Sequence, residues 1–145
     1  MRSKVIGIAE STAPLRCMPS GARRLRILLV DDDATARRAV GRTLRQHVVF
    51  EAACLAQAED LMRSHTTDLV ITDYEMPEGS GTAVLEIAEQ LQRSAHRVMI
   101  SGQAPMNLRG LLDRGLIHRF VPKPWQRELV DEVASLLSAQ ARRRR

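Results

Sequence analysis

Residues 26–33 read Arg-Ile-Leu-Leu-Val-Asp-Asp-Asp. The continuous aliphatic run at residues 27–30 predicts a short strand that is buried on both faces, as the strands of a parallel sheet are. Three acids follow at once, so negative charge collects where this strand ends. Residues 34–46 then predict a helix. Asp33 is a suitable N-cap for it, because a carboxylate there can accept hydrogen bonds from the first free backbone N–H groups.

The same succession of strand and helix continues along the chain. Further strands are predicted at 48–50, 68–73, 97–101 and 117–121, and further helices at 55–64, 82–93, about 106–114 and 125–140. Regular alternation of strands and helices is typical of an α/β fold. We therefore predict one domain with a doubly wound, five-stranded parallel sheet flanked by five helices.

Length and composition set limits on the class of protein. With 145 residues the chain is one domain in size, and its 44% hydrophobic content is too high for a disordered chain. Its longest aliphatic run, Ile27–Val30, is far shorter than the roughly 20 residues of a membrane span. Two cysteines, Cys17 and Cys54, cannot form a disulfide framework. We expect a cytoplasmic protein that does not bind membranes.

The net charge of +5 is concentrated at the two ends of the chain. Residues 1–25 contribute +4 and residues 142–145 another +4, so the part between them carries −3. We interpret residues 1–24 as a flexible N-terminal leader, 25–140 as the domain and 141–145 as an arginine-rich tail. Aromatic residues are scarce, and no DNA-binding domain is recognisable, so direct DNA binding is not expected.

Polar side chains follow the predicted strands at the points where the strands end. Asp31 and Asp32 follow the first strand, Asp73 ends the third, Ser101 ends the fourth, and Lys123 comes just after the fifth. Ligands of doubly wound sheets bind outside the carboxyl ends of the strands. We therefore expect these five side chains to converge at one edge of the sheet.

This set of side chains suits phosphoryl transfer. Three neighbouring carboxylates resist ionising together, and a bound Mg²⁺ relieves the conflict with ligands of the type it prefers. A carboxylate can also attack phosphorus and form an aspartyl phosphate, and Asp73 occupies the central position for that role. Lys123, one of two lysines beside twenty arginines, would hold a phosphoryl oxygen as a point charge.

Four stretches carry a resemblance to a known family, namely Ile27–Asp33, Asp68–Gly81, Val98–Gly102 and Phe120–Trp125. In this order and spacing, residues 25–140 resemble the receiver domain of bacterial two-component response regulators. The resemblance implies a flavodoxin-like receiver fold. It also implies a signalling domain, not an enzyme, that catalyses only its own phosphorylation and dephosphorylation.

The resemblance assigns roles in the phosphoacceptor site. Asp73 would receive a phosphoryl group from a sensor histidine kinase or a histidine phosphotransfer protein. Asp32 would bind Mg²⁺ directly, Asp31 mainly through a water molecule, and Asp73 and the backbone carbonyl of Glu75 would complete the protein ligands.

The resemblance also assigns a switch. Ser101 would hydrogen-bond the phosphoryl group, Lys123 would pair with it, and Phe120 stands where the family has a rotating aromatic residue. Ser101 replaces the more usual threonine, and Phe120 lacks a phenolic hydroxyl, so a switch there would act by packing. The output surface would be the fourth helix, fifth strand and fifth helix. It would bind a downstream protein, an output domain absent from this sequence, or a second copy in a homodimer.

Alternative interpretations remain open at this point. Residues 31–35 also fit the Asp-x-Asp-x-Thr motif of haloacid-dehalogenase-like phosphatases, with Asp31 as nucleophile and Asp33 as acid and base. No acidic pair at a later strand end and no room for a cap domain count against that assignment. The ending Phe120–Trp125 is similar to receivers attached to larger signalling proteins, so the chain is either a stand-alone receiver or a fragment. A third alternative is a binding module that is never phosphorylated.

Overall fold

A computed structural model describes residues 24–77, 81–124, 130–131, 133–135 and 137–139 of the chain. The strands are β1 (Arg26–Val30), β2 (Val48–Ala52), β3 (Leu69–Asp73), β4 (His96–Ser101) and β5 (Arg119–Pro122). The helices are α1 (Ala34–Thr43), α2 (Leu55–Ser64), α3 (Gly81–Leu91) and α4 (Leu108–Asp113). The described residues between 130 and 139 are helical as well, and we call them the C-terminal helical segment. The predicted leader and arginine tail lie outside the described residues, apart from Arg24.

The five strands form one parallel sheet in the order β2-β1-β3-β4-β5. The chain starts at β1, moves outward to β2, and returns past β1 to β3, so the direction of winding reverses between β1 and β3. The predicted doubly wound five-stranded fold is confirmed. The reversal leaves a crevice beyond the carboxyl ends of β1 and β3, where this class of sheet binds ligands.

Alternate residues of each strand point to opposite faces of the sheet, and each face has its own apolar layer. On one face, Leu28, Val70 and Met99 pack in a buried cluster with residues of α2, α3 and α4. On the other, Ile27 and Ile71 pack with residues of α1 and the C-terminal helical segment. Burial on both faces explains why the strands read as continuous apolar runs. Among the described residues, no helix is both long and apolar enough to cross a membrane.

Helix α1 begins as predicted and ends earlier. The Asp33 carboxylate accepts hydrogen bonds from the backbone N–H groups of Thr35 (2.9 Å) and Ala36 (3.3 Å), so its N-cap role is confirmed. The helix stops at Thr43, whereas the sequence predicts residue 46. The chain must turn there because the N–H of Val48 already donates to the carbonyl of Leu25 as β2 joins β1.

Other boundaries differ from the predicted ones by one to three residues. Strand β2 extends to Ala52, and β5 begins at Arg119, two residues later than its apolar run. Helix α4 begins about two residues later and ends one residue earlier than predicted, and the chain after it reverses at Gly115, which has a φ of 76°. Such backbone is available to glycine without steric cost, and it commonly ends helices. Of the predicted final helix, residues 125–129 lie outside the described part, while Val133 and Leu137 are helical and buried.

The connection from β3 to α3 requires a glycine. The N–H of Gly81, the first residue of α3, donates to the carbonyl of Tyr74 at 2.7 Å. A Cβ atom built on Gly81 would overlap the carbonyl oxygen of Asp73 and lie 3.0 Å from the Tyr74 Cα. Since these obstacles are backbone atoms, no rotamer change can remove the overlap. The start of α3 is thus pressed against the last residue of β3.

Gly81→Ala is therefore expected to destabilise the protein by about 3 kcal/mol, because the added methyl group must displace backbone. Urea unfolding at neutral pH measures this change. Gly110→Ala is the matched control, because a Cβ at Gly110 meets nothing within 4 Å. In a helix interior that substitution should stabilise by about 0.5–1 kcal/mol. Equal effects of the two substitutions would contradict the packing argument.

A buried histidine joins the start of β1 to the turn after α1. Nδ1 of His47 accepts a hydrogen bond from the backbone N–H of Leu25 at 3.0 Å. Burial, helped by the charge of Arg24, lowers the pKa of His47 to about 4. The ring is therefore neutral in the folded protein at pH values where an unfolded chain would protonate it.

This lowered pKa makes the folded state sensitive to acid. The unfolded chain binds the proton near pH 6.5 and the folded chain only near pH 4, so the contribution of His47 is complete above about pH 6.5 and lost as the pH falls toward 4. Between pH 6.5 and 5 we expect His47 to cost about 2 kcal/mol of unfolding free energy. His47→Asn keeps an acceptor without titrating, so its urea unfolding should depend less on pH over this range. An unchanged pH dependence would contradict the assignment.

Candidate functional site

Three carboxylates meet beyond the carboxyl ends of β1 and β3. Asp31 and Asp32 follow β1, and Asp73 is the last residue of the neighbouring strand β3. One oxygen from each lies within 4.8 Å of the other two. Asp31 is 6% exposed and Asp73 9%, whereas Asp32 is open to solvent. The predicted convergence of these acids is found, and it depends on the adjacent positions of β1 and β3.

Lys123 reaches the carboxylates from the edge of the sheet. Its Nζ atom lies 3.5 Å from Oδ2 of Asp31 and 3.4 Å from Oδ2 of Asp73. Strand β4 separates β5 from β3, so the two strands are about 10 Å apart, and the side chains of Lys123 and Asp73 bridge this gap together. The backbone N–H of Lys123 donates to the carbonyl of Ser101 at 2.8 Å, which fixes the point from which the side chain starts. This position requires a small cationic group on a long side chain, which lysine provides.

The electrostatics of the site leave it short of positive charge. Burial raises the pKa of Asp31, although the N–H of Asp33 and the charge of Lys123 offset part of the effect. Burial alone would lower the pKa of Lys123, but the charges of Asp31 and Asp73 outweigh it, so that pKa is raised. One ammonium thus faces three carboxyl groups. A divalent cation would relieve both the repulsion and the cost of burying Asp31.

The remaining predicted residues lie around this cluster. Ser101 ends β4 and is buried, and its hydroxyl accepts a 3.3 Å hydrogen bond from the N–H of Gln103. None of the described contacts joins Ser101 to the carboxylates. Glu75 is exposed, two residues beyond Asp73. Phe120 pairs with Met99 in the sheet and is partly buried against the apolar cluster of α2, α3 and α4.

Arg37 and Glu51 support residues 31–33, the loop after β1 that we call the acidic loop. The sequence analysis did not predict their contacts. Arg37 Nη1 donates to the backbone carbonyl of Asp31 at 2.6 Å, and its Nε donates to Oε1 of Glu51 at 3.0 Å. Glu51 lies in β2, one residue before the end of that strand. The sequence offered two signals for this contact. One is a basic residue one helical turn after an N-cap, and the other is an acid near the end of the adjacent strand.

Asp33 serves α1 and not the cluster. Its Oδ1 atom caps the helix, as described above, and its side chain is solvent-exposed. Asp33 does not belong to the group of carboxylates found within 4.8 Å of one another. The phosphatase alternative needs Asp33 as an acid and base beside Asp31. The contacts of Asp33 favour the helix-capping role.

Comparison with known proteins agrees with this geometry. Residues 27–134 match the response regulator receiver domain family. The chain is 35% identical over 112 residues to the chemotaxis protein CheY of Bacillus subtilis, which covers 74% of this chain and 92% of that protein. It is also 35% identical over 101 residues to a protein-glutamate methylesterase/protein-glutamine glutaminase of Gluconobacter oxydans. That alignment covers 67% of this chain and only 28% of the relative's length.

A solved structure shows the same architecture. The signal receiver domain of an HD domain-containing protein from Pseudomonas fluorescens is similar with a TM-score of 0.74 and 25% identity, over 85% of this chain and all of that one. The family match covers the five strands except for Arg26, the first residue of β1, and therefore includes every strand end that contributes to the acidic site. The chain belongs to the response regulator receiver domain family of two-component signalling.

Proposed function

We propose that this protein accepts a phosphoryl group on Asp73 from a histidine kinase or histidine phosphotransfer protein, in a Mg²⁺-dependent reaction, and thereby switches a protein-binding surface. One observation carries the proposal. The Asp73 carboxylate is nearly buried, shares its site with Asp31 and Asp32, and lies 3.4 Å from the ammonium of Lys123. A nucleophilic carboxylate, a cation-binding acid pair and a fixed positive charge are the groups that phosphoryl transfer to aspartate needs.

The donor set fits Mg²⁺. This ion prefers hard oxygen ligands, keeps several waters, and is commonly held by one or two carboxylates and phosphate oxygens. Asp31, Asp32, Asp73 and the backbone carbonyl of Glu75 would hold it, with the exposed Asp32 on the solvent side. When bound, Mg²⁺ supplies positive charge to the carboxylates and to the oxygens of an incoming phosphoryl group.

The transfer itself is a substitution at phosphorus. A carboxylate oxygen of Asp73 attacks the phosphorus of a phosphohistidine donor, and an O–P bond forms. The P–N bond breaks with its electron pair on the imidazole nitrogen, and because the other ring nitrogen carries a proton, the leaving group is neutral imidazole. The product is an acyl phosphate on Asp73. Lys123, which is paired with the carboxylates of Asp31 and Asp73, would exchange them for a phosphoryl oxygen. Because Asp31 and Asp73 both lie where the phosphoryl group would form, little movement of the Lys123 side chain is needed.

The new dianion would be read out through β4 and β5. Ser101 would turn its hydroxyl from the Gln103 amide toward the phosphoryl group, and Phe120, on the neighbouring strand, would repack. The output surface is α4, β5 and the C-terminal helical segment. Met106 before α4 is fully exposed and Leu112 within α4 is partly so, which gives this surface apolar contacts for a protein partner. The partner is a downstream protein, an attached output domain or a second copy of the chain.

Incubation with Mg²⁺ and a small phosphodonor should add one phosphoryl group to the wild type and none to Asp73→Asn, because the amide is not nucleophilic toward phosphorus. Intact-mass spectrometry measures the gain. A chelator should abolish it. The phosphatase alternative makes the opposite prediction, namely sustained turnover of phosphomonoesters that Asp31→Asn loses and Asp73→Asn keeps. Phosphorylation that survives in Asp73→Asn would disprove the assignment of the nucleophile.

Lys123→Gln should slow phosphorylation of Asp73 by about 100-fold at saturating Mg²⁺, because a fixed charge is then missing from the developing phosphoryl oxygens. The rate of phosphoryl gain from the same donor measures this effect. Lys4→Gln is the control, since it removes the only other lysine charge of the chain. A Lys123→Gln rate equal to that of the control would rule out a role for this ammonium in the transfer.

A further inference from the structure

We infer that Arg37 and Glu51 form a clamp that positions the acidic loop after β1 and thereby sets the affinity of the site for Mg²⁺. This inference rests on the proposed function, because it concerns the same cation site. It assigns a positioning role to two residues that touch neither the cation nor the phosphoryl group. We refer to the pair as the Arg37–Glu51 clamp.

The clamp connects three elements of the fold. Arg37 lies one turn into α1, and its own N–H donates to the carbonyl of Asp33 at 2.9 Å. Helical side chains lean toward the N-terminus of their helix, so the guanidinium reaches back over the acidic loop. There it donates to the Asp31 carbonyl at 2.6 Å, and on its other side to Glu51 of β2 at 3.0 Å. The loop is therefore tied to both α1 and β2.

The contact on Asp31 bears directly on the cation site. Asp31 is held by its backbone N–H, which donates to the carbonyl of Ala52 at 3.1 Å, and by its backbone carbonyl, which accepts from Arg37. Its carboxylate must stay beside those of Asp32 and Asp73 although they repel one another before a cation binds. Restraining the backbone keeps the ligand atoms together and lowers the reorganisation that cation binding requires. Groups that orient metal ligands in this way typically contribute 10- to 100-fold in metal affinity.

The charges of the clamp cancel. A lone arginine beside the site would repel a divalent cation, but Glu51 neutralises the guanidinium at a distance of 3.0 Å. The side chains of Arg37 and Glu51 are only 18% and 23% exposed, so solvent screens this pair weakly. The pair Arg63–Glu59 on α2 has the same chemistry but is 61% and 35% exposed and follows i,i+4 helix spacing. It provides a matched control.

The test compares two double variants of the full chain. Arg37→Met with Glu51→Gln removes the clamp without changing the net charge. Glu59→Gln with Arg63→Met removes the same charges from the exposed pair. Isothermal titration with Mg²⁺ should give a Kd raised about ten-fold or more for the clamp variant and within two-fold of wild type for the control. At saturating Mg²⁺ the maximal rate of Asp73 phosphorylation should stay within about three-fold of wild type, because the reacting groups are unchanged.

A further variant and two further measurements distinguish loss of the clamp from misfolding. Thermal unfolding checks each variant, and Arg37→Lys keeps the charge but loses the fork that reaches both partners. It should also weaken Mg²⁺ binding. Without Mg²⁺, hydrogen exchange at the Asp33 amide should be faster in the double variant of Arg37 and Glu51 and in Arg37→Lys than in the wild type. This amide donates to Asp31 Oδ1 at 2.9 Å in the acidic loop.

Two results would overturn the inference, and they differ. Wild-type Mg²⁺ affinity in the folded clamp variant and in Arg37→Lys would refute the clamp while leaving the phosphoacceptor site intact. Failure of the wild type itself to bind Mg²⁺ would refute the proposed function and the clamp together. The Glu59–Arg63 control separates a specific effect from a general response to the loss of an ion pair.

Discussion

The arrangement of the site depends on one electrostatic conflict. Three carboxylates lie within 4.8 Å of one another at a sheet edge, and two of them are nearly buried. Such a group is unfavourable unless positive charge and hydrogen bonds compensate for it. Lys123 supplies a cation across two strands, and the N–H of Asp33 donates to the Asp31 carboxylate. The negative charge that remains would favour binding of a divalent cation, as the proposed function requires.

Backbone contacts connect the same end of the sheet to the rest of the fold. Gly81 lets α3 begin directly against the backbone of Asp73. The carbonyl of Ser101 accepts a hydrogen bond from the backbone N–H of Lys123. Ser101 and Phe120 lie on adjacent strands of the sheet, one at the site and the other packed into the apolar cluster. Under the proposed function, a charge added at Asp73 would act through these two residues on the packing of β5 and α4. Packed interiors transmit such changes because they have little free volume to absorb them.

Much of this could be predicted from the sequence because the strands are strongly marked. Each buried strand is a short apolar run, and acids or a hydroxyl follow the runs of β1, β3 and β4. The apolar pattern does not fix the strand boundaries. Ile117 is apolar and buried but precedes β5, and pairing with β4 decides where that strand begins. Arg37 gave a weak signal, because an arginine on a helix is usually a solvated residue, and Glu51 becomes its partner only when β2 pairs with β1.

The sequence by itself determined the α/β class, the five strands, the N-cap at Asp33 and the residue types at the strand ends, because these follow from local periodicity and side-chain chemistry. Tertiary structure alone decided which strands are neighbours. That choice brings Asp73 beside Asp31, lets Lys123 reach both, and sets Arg37 between the acidic loop and Glu51. These residues are far apart in the chain, and contacts at such separations are fixed by sheet order and packing, which no local pattern encodes.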